Sequence, residues 1–166
     1  MKIAISIISF LLDGILSNYL PTNGIFMPLF TLMCLIVIYP HFNDNSWYYK
    51  YAFILGIFYD IVYTGTFIFY ASVFLLISFI ISKLNRTLTE SYINLIIISI
   101  VSIIIFRTIT YLLIVLTGNL SFDFYYLFRG IYSSILINVI YVVILKFITS
   151  KFKRKRNSYY WVFFIK

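Results

Sequence analysis

Four ionisable side chains lie inside long apolar stretches of this 166-residue chain: the acids Asp13 and Asp60 and the bases Arg107 and Arg129. Two carboxyl groups in a dry setting could do general acid–base hydrolysis, provided one of them stays protonated. Two arginines nearby work against that, because an adjacent positive charge keeps a carboxyl ionised. The same groups could line a proton or substrate path, or they could hold helices in register through buried ion pairs and hydrogen bonds. A path needs polar groups through the full depth of the membrane, and the half of the spans nearer the basic end offers little beyond serines. The structural role is therefore expected, with the four residues as a buried, electroneutral charge network.

Other chemistry-bearing patterns are absent from the sequence. It contains no Gly-rich phosphate loop, no H-E-x-x-H, no cluster of Cys or His and no Ser-His-Asp set. Neither an enzyme nor a cofactor nor a metal site is expected. Cys34 is the single cysteine and sits in an apolar run, which suits a small buried hydrophobe.

The elements that must position these charges follow from composition. Hydrophobic residues make up 63% of the chain and charged residues 11%. A soluble globule of this size could not hide so much apolar side chain, and neither a disordered chain nor a disulfide scaffold fits. A hydrocarbon core of about 30 Å takes about 20 helical residues. Apolar runs of suitable length predict an all-α polytopic membrane protein, a six-transmembrane-helix bundle with spans near 3–20, 25–40, 47–63, 66–82, 92–116 and 124–148. These form one transmembrane domain over 1–150, followed by a basic-aromatic cytoplasmic tail over 151–166. A membrane barrel would alternate apolar and polar residues, which Leu95-Ile-Ile-Ile does not.

Charge asymmetry orients the bundle. Lys2, Lys50, Lys83, Arg86, Lys146, Lys151, Lys153, Arg154, Lys155, Arg156 and Lys166 fall on one side, and the loops of the other side carry no Lys or Arg. The basic side is expected to be cytoplasmic, with both termini there. In the tail, Lys151, Lys153, Arg154, Lys155 and Arg156 precede an aromatic patch, Tyr159 to Ile165. Directly after a membrane helix the nearest polyanion is anionic lipid, so nucleic acid is the weaker partner. Counting residues to the far end of each helix places Asp60 level with Arg129 and Asp13 level with Arg107, which predicts those two pairs. Lys2, Ser6, Ser9, Asp13 and Ser17 recur at helical spacing and predict one inward polar stripe on the first helix.

Two segments carry a resemblance. Phe53-Ile-Leu-Gly56-Ile-Phe-Tyr-Asp60-Ile-Val-Tyr-Thr-Gly65, followed by Tyr70 and a long apolar helix, resembles the hallmark segment of the MreD family of bacterial rod shape-determining membrane proteins. Leu127-Phe-Arg129-Gly-Ile-Tyr-Ser-Ser-Ile-Leu-Ile-Asn138 resembles the arginine and asparagine of that family's last helix. The short Leu20-Pro21 loop and the six-helix size agree. Gly56, Asp60, Gly65, Arg129 and Asn138 are then the family-motif residues, with Gly56 permitting close helix approach on the face of Asp60. Phe67, Ile68 and Phe69 depart from the smaller or more polar start expected for the next helix. The resemblance implies a non-enzymatic scaffold in the inner membrane. It implies as partners an MreC-like protein, the glycosyltransferase RodA with its penicillin-binding protein, and MreB on the cytoplasmic side. The alternative is a substrate-capture subunit of an energy-coupling-factor vitamin transporter, which is similar in size and fold. That reading needs a cavity at the external face, for which Asp60, Arg129, Tyr63 and Tyr125 are the candidates.

Overall fold

The computed structural model describes residues 2–19, 28–88, 91–118 and 121–163, with side chains up to 151. Among these, the regular structure is entirely helical: α1 (Lys2–Tyr19), α2 (Phe30–Ile38), α3 (Asn45–Tyr59), α4 (Phe69–Thr87), α5 (Tyr92–Leu116) and α6 (Phe124–Phe163). A short 3-10 turn, Tyr39–His41, follows α2, and a π-helical turn, Asp60–Thr64, follows α3. Four helical stretches are long and apolar enough to cross a membrane: Lys2–Tyr19, Phe69–Thr87, Tyr92–Leu116 and Phe124–Lys151.

The second span differs most from its expected form. Only nine residues, Phe30–Ile38, are α-helical, and all of them are buried. Nine residues rise about 13 Å, less than half of a hydrocarbon core. A helix that is apolar all round has no face for solvent or headgroups and belongs at the centre. Accordingly α2 packs against α1, α4, α5 and α6, and Leu32, Met33, Cys34 and Leu35 are fully enclosed. Outward faces carry the opposite pattern: Phe128, Tyr132, Leu136, Ile140 and Ile144 run down α6 four residues apart and are all exposed. In a bilayer these side chains meet acyl chains. The sixth helix also continues past the expected end at 148, through Phe163. Of the tail, Lys151 is exposed with its Nζ 4.5 Å from the centre of the Phe147 ring. The side chains of Lys153, Arg154, Lys155 and Arg156 lie outside the described residues.

The polar stripe of α1 holds over three of its members. Ser6, Ser9 and Asp13 are buried, Lys2 is half-buried over the Phe42 ring, and Ser17 is exposed, against expectation. Tyrosines answer the serines: Tyr51 donates to Ser6 Oγ at 2.8 Å, and the Ser9 and Tyr141 hydroxyls lie 2.7 Å apart. Cys34 is buried as expected, and its thiol donates to the Thr31 carbonyl oxygen at 3.1 Å.

Candidate functional site

A helix begins with backbone N–H groups that have no partner within the helix, and in hydrocarbon no water can satisfy them. Both buried acids meet that need. Asp13 Oδ1 accepts from Phe30 N at 2.7 Å, and its Oδ2 accepts from Thr31 N at 2.7 Å and from Thr31 Oγ1 at 2.5 Å. Asn138 completes the turn from the other side. Its Oδ1 accepts from Leu29 N at 2.7 Å while its Nδ2 donates to the Ser134 carbonyl oxygen at 2.7 Å. The start of α2 is thus suspended between α1 and α6, with the negative end of each side-chain dipole or charge facing the positive helix terminus.

Asp60 does the same for α4 and also closes the turn before it. Its carboxylate accepts from Tyr70 N and Ala71 N, both at 3.0 Å, and from Thr66 Oγ1. Its backbone oxygen accepts from Gly65 N at 2.8 Å and from Thr64 Oγ1 at 3.2 Å. Gly65 adopts φ +61°, a left-handed conformation that glycine takes without steric cost. Gly56 makes the cap geometrically possible. A Cβ there would stand 2.4 Å from Ala71 Cα and 2.8 Å from Ala71 N, so a bare α-carbon is required for α3 to lie against the first turn of α4. Ile68, at φ 65°, is a β-branched residue in the left-handed region, which costs about 1–2 kcal/mol.

Both acids are thus engaged by hydrogen-bond donors at helix starts. The Asp60 carboxylate meets donors of its own hairpin, and Arg129 is exposed on α6. A carboxylate ten residues before a helix start in a hairpin reaches fixed N–H donors without ordering a long side chain, which favours the cap. Asp13 and Arg107 attract each other through space, but the hydrogen bonds on Asp13 come from α2. Arg107 is half-buried, its Nε donating to Ser134 Oγ at 2.7 Å, with Tyr59, Tyr70 and Tyr126 in electrostatic reach. The charge network is thus two fully buried acids, one half-buried base and one exposed base, rather than four enclosed charges. The candidate cavity residues have separate surroundings. Tyr63 packs over α1, donating to the Phe10 carbonyl oxygen beside Gly14, while Tyr125 is 72% exposed with its backbone N donating to Asp123.

Exchanging the two charges, Asp60→Arg with Arg129→Asp, is expected to leave the protein as unstable as Asp60→Arg alone. A guanidinium has only donors and cannot accept from Tyr70 N or Ala71 N. The thermal midpoint of the solubilised double variant checks this; recovery to near the parent value would restore the ion-pair reading.

These features define a class: an all-helical membrane protein whose internal acids fasten helix starts within the bundle. The chain belongs to the MreD family, since the family model described as rod shape-determining protein MreD matches residues 1–156. It is accordingly a bacterial membrane protein of rod-shape determination. No curated protein and no solved structure matches the chain. Nothing in these comparisons supports the vitamin-transporter alternative.

Proposed function

We propose that this protein is a non-enzymatic scaffold of the bacterial cell-elongation machinery, its chain crossing the inner membrane six times, the second crossing centred on the short enclosed helix α2, with both termini in the cytoplasm. The observation that supports it best is the division of labour among side chains. The buried acids and Asn138 are spent on fastening helix to helix, while the outward faces of α1 and α6 are apolar and suited to other transmembrane helices. On this reading an MreC-like protein docks on those faces, with RodA and its penicillin-binding protein adjacent. MreB lies on the cytoplasmic side, and the basic tail rests on anionic lipid. The α3–α4 hairpin would then face outward, and the end bearing Lys50, Lys83 and Arg86 would face the cytoplasm.

The test is co-expression of the full-length tagged chain with the MreC-like protein of the same organism, followed by solubilisation and size-exclusion chromatography. The two are expected to coelute as one species. Elution apart, under conditions where each is monodisperse, would overturn the proposal.

A further inference from the structure

Two features of the α3–α4 hairpin oppose each other. Its backbone is costly to hold: a π-helical turn at Asp60–Thr64 is followed by left-handed Gly65 and then by left-handed Ile68, where a β-branched side chain is disfavoured. Three of its hydrophobic side chains do little to repay that cost within the protein, since Ile61, Val62 and Phe67 are 66%, 57% and 86% exposed. Asp60 gathers most of its polar groups. Through its carboxylate Asp60 holds Thr66, Tyr70 N and Ala71 N, and through its carbonyl oxygen it holds Thr64 and Gly65 N.

From this juxtaposition we infer that the hairpin 60–71 is a latch: a strained turn kept shut by Asp60 that opens on its own, with the rest of the bundle closed. Opening releases Ile68 from the left-handed region and frees the first turn of α4. The Asp60 contacts all lie between the end of α3 and the start of α4, and the hairpin meets its neighbours through two tyrosines, Tyr63 at the Phe10 carbonyl oxygen of α1 and Tyr70 with its ring 5.8 Å from Phe106 of α5, so most of α5 and α6 is untouched by opening. Strained, locally satisfied turns of this kind open at lower free energy than packed helices do. The inference does not depend on which partners the protein binds.

Amide hydrogen exchange of the full-length protein in lipid nanodiscs, read by mass spectrometry, tests it. Peptides covering Tyr70 and Ala71 are expected to exchange faster than those of central α5. Ile68→Gly removes the strain of the shut state and should slow exchange at Tyr70 and Ala71 by roughly tenfold. Thr66→Val, which removes one donor at an exposed position, should speed it severalfold, and Asp60→Asn should speed it further, with a distinctly smaller change in α5 and α6 peptides in all three. Unchanged or faster exchange in Ile68→Gly would overturn the latch. So would a rise spread evenly over the whole bundle in Thr66→Val, which would make Asp60 a general fastening. If Asp60→Asn does not fold, the other two variants decide.

Discussion

The Asp13→Asn variant is expected to unfold at a much lower temperature than the parent, although the two side chains are nearly the same size. Both oxygens of Asp13 act as acceptors, for Phe30 N on one side and for Thr31 N and Thr31 Oγ1 on the other. An asparagine supplies one acceptor oxygen and turns an NH2 group, a donor, toward donors. At least one backbone N–H at the start of α2 then loses its partner in a region that is 0–1% exposed at both Asp13 and Thr31. Hydrogen bonds to a charged group contribute about 1.5–3 kcal/mol each, and leaving a buried donor unsatisfied adds about 1–3 kcal/mol. A loss of roughly 3–5 kcal/mol follows, in the range found when one partner of a buried charged interaction is removed. At about 2–4 °C per kcal/mol for a chain of this size, the midpoint falls by on the order of 10 °C. Fluorescence-detected size-exclusion chromatography after heating measures it directly. A midpoint within about 2 °C of the parent would mean that α2 is not held by Asp13. Combining Asp13→Asn with Thr31→Val should cost less than the sum of the two, because both remove the same bond.

How far the sequence discloses this arrangement depends on the distance between a cap and its helix. Asp44 and Asp123 are readable locally, since each accepts from the backbone N–H two residues on, at the starts of α3 and α6. Asp13 and Asp60 do the same work for α2 and α4 from 17 and 10 residues away, across a change of chain direction, and no local capping pattern reveals them. Each was noticeable only as a charge in an apolar run. Equal depth in the bundle points such a charge toward an arginine, whereas its hydrogen bonds come from fixed N–H donors at a helix start. Run length alone gives α5 at 92–116, where one long apolar run has polar residues on both sides. It could not shorten the second span to Phe30–Ile38, because an apolar run looks the same whether it crosses lipid or is surrounded by other helices. The tyrosines that answer the serines of α1 were likewise hidden, since aromatic residues are so frequent in this chain that none stands out.

Among small-residue positions, Gly56 is the one expected to tolerate least. The Gly56→Ala variant adds one methyl group, which on an exposed helix would favour the helix by about 0.5–1 kcal/mol. Here the new Cβ would meet Ala71 Cα at 2.4 Å, Ala71 N at 2.8 Å and the Tyr70 carbonyl oxygen at 2.9 Å. Carbon atoms rest about 3.5–4.0 Å apart, so α3 and α4 must separate by on the order of 1 Å. All three obstructing atoms are backbone, and no rotamer change can clear them. Separation acts on the same two residues that donate to Asp60, lengthening bonds that stand at 3.0 Å from Tyr70 N and Ala71 N. Overpacking of about 1–3 kcal/mol is thus joined by partial loss of the cap, and a total of roughly 3–5 kcal/mol is expected. Gly130→Ala is the internal control: a Cβ there has nothing within 4 Å, and Gly130 lies within α6, so its midpoint should stay level or rise slightly. Were Gly56→Ala as stable as Gly130→Ala, the close crossing of α3 over the start of α4 would be wrong, and the reach of Asp60 to Tyr70 and Ala71 would fall with it.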